Sequence, residues 1–220
     1  GALSTDPSGD LLERVKGMSR ALYHRGPDSG GHFSHNGAAI AVRRLAIIDL
    51  ETGDQPIANE DETLHVVLNG EIYNYVELAE ELRSLGHRFR TASDTETIVH
   101  AYEEYGDRVT EHLRGMFAFA VYDTRDGSVF IARDRFGEKP LFYYQTASTL
   151  VFSSEIRSLL EWQDIPRKVD PEALGYYMRV GYSPSPVTLL KGVYEVPPGC
   201  WLRWRDGQIT TGRYYVVDYQ

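Results

Sequence analysis

The sequence predicts an α+β fold in which stacked, mostly antiparallel sheets carry helices on their outer faces. Short runs of β-branched and aromatic residues recur along the chain between Gly and Asp turn signals, as in antiparallel sheets. Helical segments with one apolar face are interspersed among these runs, which is typical of an α+β domain. The 220 residues are 42% hydrophobic and 12% aromatic, which is enough to fill the core of one compact domain.

Five helices are predicted from apolar residues three or four positions apart and from the residues at their ends. Asn74 is predicted to begin the second helix, and Ser93 forms a Ser-x-x-Glu capping box with Glu96 at the start of the third. Gly86 and Gly106 are predicted to end these two helices. The five segments are 11–23, 75–85, 94–105, 155–162 and Pro171–Val180.

Strands are predicted where β-branched and aromatic residues cluster between turn signals. Asp126-Gly127 and Asp206-Gly207 are typical of tight hairpin turns, so the runs on either side of each are predicted to pair. The last three strands are predicted to form one antiparallel set. The segments are 38–42 and 45–50, joined through Arg43-Arg44, then 64–68, 88–91, 116–123, 128–134, 141–145, 150–153, 193–196, Cys200–Arg205 and 208–215.

The dipeptide Asn69-Gly70 follows a β-branched run, a combination that usually marks a hairpin turn. A second strand does not fit after it, because the three residues 71–73 are too few to pair well and helical spacing begins at Val76. The sequence therefore predicts that the strand 64–68 ends at Asn69-Gly70 in a loop. Loops at strand ends are where ligand-binding backbone groups concentrate.

Composition and charge exclude several classes of function. The net charge of −9 disfavours nucleic acid and anionic membrane surfaces as partners. No apolar run is long enough to span a bilayer and no leader is recognisable, so a cytoplasmic location is expected. The one cysteine, Cys200, excludes an internal disulfide framework, and the seven histidines show no metal-binding pair motif, so no metal site is expected.

Four polar segments fall at predicted strand ends or helix starts, where functional side chains often lie. Each one alone is compatible with a structural role: 24–28 as a helix stop, Arg44 as a surface residue, and Asp94 as an acid at a helix N-terminus. The four segments are 24–28, Arg44, 69–71 and 93–96.

Together these segments resemble the glutaminase domain of glutamine-hydrolysing asparagine synthetases, which are class II glutamine amidotransferases of the N-terminal-nucleophile hydrolase type. The resemblance covers nearly the whole chain in the family's order, so it is more specific than any one motif. It implies a four-layer αββα sandwich and one amidotransferase domain over residues 1–220. The matching runs are HRGPDS, RLAIIDL, LNGEIYNY, SDTETI, LRGMFAFAVYD, ARDRFGEKPLFYY and VYEVPPG.

The resemblance implies a glutamine site, and the residue types support its chemistry. Glutamine has a carboxylate and an ammonium at one end and an amide at the other, so its site needs a cation, an acid and an oxyanion hole. Arg44 is predicted to clamp the carboxylate, and Glu71 and Asp94 to hold the ammonium. Asn69 and Gly70 are predicted to form the oxyanion hole. By resemblance, the backbone of Leu45, Ala46, Ile47 and Ile48 lines the same pocket.

The nucleophile of the family is an N-terminal cysteine whose own α-amine serves as the base. This chain starts at Gly1, and the resemblance implies a cysteine immediately upstream; Cys200 is interpreted as a small apolar residue of a hairpin. One explanation is that the chain lacks the first few residues of an active glutaminase. The other is that the natural protein has no such cysteine, as in β-lactam-forming relatives. We favour the first, because the glutamine-binding set is otherwise complete.

Members of the family continue into an ATP-dependent synthetase domain, and no glycine-rich phosphate loop is found in this chain. No cofactor is therefore expected in this domain, whereas Mg-ATP is expected for the synthetase domain, which by resemblance amidates aspartate with ammonia received through a tunnel. The charged segment 133–140 is interpreted as a structural loop facing that domain. The alternatives are a glutaminase serving a different acceptor and a catalytically silent scaffold; the sequence is also compatible with a homodimer.

Overall fold

The computed structural model describes residues 1–6, 10–45, 47–49 and 52–218. The strands in this part of the chain are β1 (Ala2–Ser4), β2 (Ser29–His35), β3 (Ala38–Arg44), β4 (Ile57–Ala58), β5 (Leu64–Ile72), β6 (Gly115–Asp123), β7 (Val129–Arg133), β8 (Phe142–Gln145), β9 (Thr149–Ser153), β10 (Val193–Glu195), β11 (Cys200–Arg205) and β12 (Gln208–Arg213). The helices are α1 (Leu11–Ala21), α2 (Tyr75–Ser84), α3 (Asp94–Tyr105), α4 (Val109–His112), α5 (Ile156–Leu159) and α6 (Pro171–Val180). None of these helices is long and apolar enough to cross a membrane.

The strands form two six-stranded sheets in which all paired strands are antiparallel. The first sheet has the order β10-β8-β9-β1-β3-β2, and the second has the order β12-β11-β7-β6-β5-β4. Strand β10 belongs to the first sheet and β11 and β12 to the second. The prediction that the last three strands form one set is therefore wrong for β10, because Val193–Glu195 pairs with β8.

Alternating side chains on the strands build a four-layer sandwich. On β5, Leu64 and Leu68 pack in a core with α2 and α3, whereas Val67 points to the other face and packs between the sheets. On β1, Ala2 packs against α1, whereas the next residue, Leu3, joins the core between the sheets. The predicted α+β class and the αββα sandwich are confirmed.

Local signals placed most helices correctly. In α1, Leu11, Val15 and Met18 are buried on one face, and α6 spans the predicted residues. The predicted helix 155–162 is shorter, since α5 covers only Ile156–Leu159. Asn74 lies at the N-cap of α2 but its side chain does not cap the helix; its Oδ1 accepts the Arg114 N–H, which ties α2 to the segment before β6.

The capping box at the start of α3 is only half formed. The Ser93 hydroxyl accepts the Thr95 N–H at 3.2 Å, as predicted. The Glu96 carboxylate does not return to Ser93 and instead accepts the backbone N–H groups of Arg90 and Thr91, both at 2.7 Å. The predicted strand 88–91 is therefore wrong, because its amides bind carboxylates rather than a neighbouring strand; the Arg88 N–H likewise donates to Glu60.

Two further strand predictions were wrong or incomplete. The described residues of 45–50 are not in a strand, and Leu45 and Ile47 are exposed; Ala46 and Leu50 lie outside the described residues. Strand β2 was not predicted, because Ser29, Gly30 and Gly31 give it no apolar run at its start. It forms through seven paired residues with β3, so long-range pairing compensates for weak local propensity.

Asn69-Gly70 lies inside β5 rather than after its end. Asn69 pairs with Ala118 and Gly70 with Phe117, so the prediction that the strand ends there is wrong. Gly70 has φ of 144°, and a Cβ at this position would lie 2.0 Å from the Met116 carbonyl oxygen. The partner strand β6 runs back to Gly115, and only glycine permits the two backbones to approach this closely.

Candidate active site

A cavity of about 300 Å³ lies between the two sheets, among the ends of β3 and β9, the second half of β5 and the start of α3. All the described residues of the predicted glutamine site line this one cavity; Ala46 lies outside the described residues. The residues brought together are Arg44, Leu45, Ile47, Ile48, Asn69, Gly70, Glu71 and Asp94.

Arg44 is the last residue of β3 and only 8% exposed, and its guanidinium organises the segment that follows it. Its Nη2 donates to the backbone carbonyls of Ile48 at 2.9 Å and Asp49 at 2.5 Å, and its Nη1 donates to Asp54 at 3.1 Å. The Asp54 side chain is 71% exposed, so this ion pair is open to water. The structure thus assigns Arg44 a loop-holding contact that the sequence did not predict.

Asn69 and Gly70 line the cavity because β5 extends to Ile72 and its second half forms part of the cavity wall. The Asn69 side-chain amide donates to the Ser154 hydroxyl at 3.3 Å, across from the second sheet to the end of β9 in the first. Asn69 is half-buried and presents its side-chain amide to the cavity. Its neighbour Gly70 has no side chain, so its backbone is accessible beside that amide. This arrangement supplies polar N–H donors at an otherwise packed wall.

Glu71 and Asp94 make the same end of the cavity acidic. Asp94 is 5% exposed, and its Oδ2 accepts the Ile72 N–H at 2.9 Å. Burial raises the pKa of the Asp94 carboxyl above its ordinary value, and the nearby charge of Glu71 adds to this shift, whereas the hydrogen bonds from Ile72 and Thr95 oppose it. A cation bound beside Asp94 would therefore be favoured.

Gly1 lies in the wall of the cavity and continues the β1–β9 ladder. Its N–H group donates to the Phe152 carbonyl at 2.8 Å, and the Phe152 N–H donates to the Gly1 carbonyl at 2.9 Å. These two hydrogen bonds place Gly1 opposite Phe152, beside the candidate site.

Sequence reasoning missed several lining residues, among them Gln55 and Ser154. Gln55 accepts the Leu68 N–H at 2.7 Å through Oε1 and donates to the Thr95 hydroxyl at 3.1 Å through Nε2, so it joins β5 to α3. Ser154 contacts Asn69 from the end of β9. Neither has a distinctive sequence pattern, because single Gln and Ser residues in polar loops are common; only the long-range contacts identify them.

The remaining predictions concern residues away from the glutamine set. His24 Nε2 lies 3.1 Å from Glu155 Oε1, a contact compatible with the structural role assigned to it. Cys200 is buried in the core between the sheets, as its interpretation as a small apolar residue requires. In the segment 133–140, the Asp134 carboxylate accepts four backbone N–H groups and Arg133 binds the carbonyls of Gly137 and Lys139, which agrees with a structural loop.

The chain is similar to known proteins along nearly its whole length. Residues 1–215 match the protein family described as "Glutamine amidotransferase domain". The chain is 43% identical over 213 residues, 96% of its length, to asparagine synthetase (glutamine-hydrolyzing) 1 of Bacillus subtilis strain 168. It is 38% identical over 204 residues, 91% of its length, to asparagine synthetase (glutamine-hydrolyzing) 3 of the same organism. In both cases the chain spans 33% of the relative's length.

The fold has a close match among solved structures. The glutamine phosphoribosylpyrophosphate amidotransferase of B. subtilis, complexed with ADP and GMP, superposes with a TM-score of 0.67 over 98% of this chain and 48% of its own. The two sequences are 20% identical, so this likeness concerns the fold alone. The likeness supports the predicted αββα fold.

Proposed function

Because the chain belongs to the glutamine amidotransferase domain family, we propose that it hydrolyses glutamine to glutamate and ammonia. One observation carries the proposal: a cation, two carboxylates and an amide-bearing strand line the same cavity between the sheets. Glutamine presents the complementary groups, a carboxylate, an ammonium and a side-chain amide. The same residues were predicted from the sequence alone, through motifs that are far apart in the chain.

In the proposed complex, Arg44 binds the α-carboxylate of glutamine and Glu71 and Asp94 bind its α-ammonium. The exposed Asp54 is the ligand that a substrate carboxylate would replace on Arg44, since an exposed ion pair contributes little stability. Burial disfavours the ionised form of the Asp94 carboxyl and raises its pKa. An ammonium group beside Asp94 would favour the ionised form, so the pKa shift is compatible with Asp94 binding the α-ammonium of glutamine. The backbone of Leu45, Ala46, Ile47 and Ile48 is proposed to enclose the bound amino acid.

The proposed nucleophile is a cysteine that precedes Gly1. In the antiparallel register Ala2 pairs with Val151, and the Gly1–Phe152 hydrogen bonds continue it, so the preceding residue would lie opposite Ser153. Ser153 and its neighbour Ser154 both line the cavity, and Ser154 contacts Asn69. A thiol at this position would therefore lie beside the proposed oxyanion hole.

The reaction then proceeds in two steps. The α-amine of the cysteine, with an ordinary pKa of about 8, takes the thiol proton, and the thiolate attacks the amide carbon of glutamine. The Asn69 side-chain amide and the Gly70 N–H stabilise the oxyanion while the proton passes to the leaving ammonia. Water then cleaves the thioester, releasing glutamate and regenerating the thiol.

For the whole protein, we propose a glutamine-hydrolysing asparagine synthetase in the cytoplasm. The relatives with that name are about three times as long as this chain, which supports a C-terminal synthetase domain as its partner. That domain is proposed to use Mg-ATP to activate aspartate and to receive the ammonia through an internal tunnel. The glutaminase domain itself needs no cofactor for the chemistry described.

The full-length protein with its natural N-terminus tests the proposal through glutamate release from glutamine. Replacing the proposed nucleophilic cysteine with Ala is expected to lower glutaminase activity by about 10³-fold or more, while free ammonia still supports amidation. The matched control is Cys200→Ala, which is expected to leave glutamine turnover unchanged. An N-terminus without cysteine, or turnover that survives its removal, would make this domain a scaffold instead.

A further inference from the structure

A cluster of two histidines and two glutamates lies outside the candidate active site. Glu60 comes from the loop before β5, His87 from the segment after α2, and His100 and Glu103 from α3. One donor atom from each of the four lies within 4.8 Å of the others. The sequence did not predict this cluster, because the two histidines are far apart in the chain and form no helical pair motif.

The distances within the cluster fit metal coordination better than direct hydrogen bonding. His100 Nδ1 lies 3.3 Å from Glu60 Oε2, and His87 Nδ1 lies 3.6 Å from Glu60 Oε1 and 3.8 Å from Glu103 Oε2. Around a tetrahedral Zn²⁺ with bonds of about 2.0–2.1 Å, neighbouring ligand atoms are about 3.3–3.4 Å apart. The measured separations of 3.3–3.8 Å are close to that spacing, and the four donor atoms, which lie within 4.8 Å of one another, would draw together around a bound ion.

His100 provides an independent indication of a ligand. Its side chain has no exposed surface, and neither ring nitrogen makes a hydrogen bond of acceptable geometry among the described residues; the nearest acceptors are carboxylate oxygens of Glu60 at 3.3 Å and Glu96 at 3.5 Å. Leaving a buried polar group unpaired is costly, and native structures rarely do so. A metal bound at Nδ1 would satisfy this nitrogen, which accepts no hydrogen bond from a backbone group of the described residues.

Both histidines also have a carboxylate near the second ring nitrogen, where a metal-ligating histidine usually has its hydrogen-bond acceptor. Each ring turns Nδ1 toward the centre of the cluster and Nε2 toward an outer carboxylate. His100 Nε2 lies 3.5 Å from Glu96 Oε1, and His87 Nε2 lies 3.6 Å from Glu104 Oε2. Such carboxylate–histidine–metal arrangements fix the tautomer and the orientation of the ring.

The two inner glutamates are held in place yet accessible. The Arg88 N–H donates to Glu60 at 2.7 Å, and the Asn59 side-chain amide donates to Glu103 at 3.1 Å. The Glu60 and Glu103 side chains are about one third exposed, so an ion can enter from solvent. Within the described part of the chain, no Lys or Arg forms an ion pair with either carboxylate, which leaves both available to a cation.

We propose that His87 and His100, through Nδ1, and Glu60 and Glu103, through one oxygen each, form a structural binding site for a divalent transition metal of the Zn²⁺ type. Two imidazoles and two carboxylates are a donor set that Zn²⁺ accepts in tetrahedral geometry. The ion would pin the irregular segment between α2 and α3 to both α3 and the loop before β5. That segment leads directly into Ser93 and Asp94 at the cavity, so the metal would stiffen one wall of it.

The test uses the full-length protein stripped of metal by chelation and titrated with ZnCl₂. We expect one saturable site in this cluster with a dissociation constant below about 1 μM, and a thermal midpoint several degrees higher with Zn²⁺. Co²⁺ at the site is expected to give the intense visible absorption of a tetrahedral complex. Both readouts are independent of glutaminase activity, so they remain valid if the proposed function fails.

Variants localise the site. His87→Gln and Glu103→Gln are preferred to a change at the fully buried His100, and each is expected to weaken Zn²⁺ binding by about 100-fold or more and to remove the tetrahedral Co²⁺ spectrum. The matched control is His24→Gln, an exposed histidine that also contacts a glutamate and should bind Zn²⁺ as the wild type does. Absence of saturable binding, equal affinity in His87→Gln, or an octahedral Co²⁺ spectrum would overturn the proposal and leave a buried histidine–glutamate ion-pair cluster.

Discussion

The chain contains two Asn-Gly dipeptides whose surroundings differ in almost every respect. Asn36-Gly37 forms the two-residue turn between β2 and β3, where His35 pairs with Ala38 and both turn residues have positive φ, 38° and 76°. Asn69-Gly70 lies within β5, paired on β6, and faces the cavity. The first dipeptide reverses the direction of the chain. The second lies within a strand whose backbone passes very close to that of β6.

The same dipeptide therefore has different roles, depending on whether it connects two strands or lies within a strand that pairs with a neighbour. At Asn36-Gly37 the conformational freedom of the residues is used, because a two-residue hairpin turn needs positive φ twice. At Asn69-Gly70 the absence of a side chain on Gly70 is required, because the backbone of β6 occupies the place where a Cβ would lie. The Asn69 side-chain amide is available for a ligand in the cavity. We therefore expect changes at the first pair to alter stability and changes at Asn69 to alter catalysis.

The largest effect is expected from Gly70→Ala. Its new Cβ would lie 2.0 Å from the Met116 carbonyl oxygen of the paired strand β6, and φ of 144° is strained for alanine. Overpacking and backbone strain together should lower the free energy of unfolding by about 4 kcal/mol. Gly37→Ala, at the hairpin tip with a nearest approach of 2.6 Å, should lose about half as much. Equal losses in denaturant titrations would remove the distinction between the two glycines.

The next effect concerns catalysis. Asn69→Ala should lower the kcat for glutamine hydrolysis by about 10²–10³-fold, because it removes one donor to the oxyanion. Its unfolding free energy should change by no more than about 1 kcal/mol, since the hydrogen bond to Ser154 is long and half exposed. Steady-state kinetics on the full-length enzyme and a denaturant titration test both parts. Unchanged kcat would remove Asn69 from the oxyanion hole.

A smaller and opposite pattern is expected at the hairpin. Asn36→Ala should lower the unfolding free energy by about 1 kcal/mol, because alanine tolerates φ of 38° less well than asparagine. Glutamine hydrolysis should be unchanged, since Asn36 is exposed and does not line the cavity. Asn36→Gly is the matched variant and should retain the wild-type stability. A loss of activity in Asn36→Ala without loss of stability would contradict the separation of roles.

The smallest effect is a change in pH dependence at the end of β5, where Asp94 accepts the Ile72 N–H. Because the pKa of Asp94 is raised in the folded state, that state binds more protons than the unfolded state just above the ordinary aspartate pKa. This contribution to stability is complete at lower pH and is lost as the pH rises through the raised pKa. Asp94→Asn, which can still accept the Ile72 N–H, should lack this loss.

The comparison between wild type and Asp94→Asn is a difference between two pH profiles of unfolding free energy. Other carboxylates, such as Glu96 with its lowered pKa, act with the opposite sign and cancel in that difference. Parallel profiles for the two proteins would show that Asp94 has an ordinary pKa and would weaken its proposed part in binding the ammonium of glutamine.

The fold class and most helices could be predicted from the amino-acid sequence, and the same sequence predicts the residues of the candidate glutamine site. Helix α6 was predicted over its full length, because Pro171 and the apolar spacing are local signals. The hairpin of β6 and β7 was predicted because its turn and both strands are contiguous. The residues of the candidate site were identified through short motifs whose order along the chain resembled a family.

The contacts between distant segments of the chain could not be predicted from local sequence patterns. Strand β5 continues through Asn69-Gly70 because β6, more than forty residues later, offers it a partner. The segment 88–91 is not a strand because Glu60 and Glu96 bind its amides. His87 and His100 approach the same glutamate because a loop folds back on α3. Such contacts join residues that are far apart in the sequence. Local sequence patterns do not indicate which distant residues will be neighbours, so these contacts can be identified only in the folded chain.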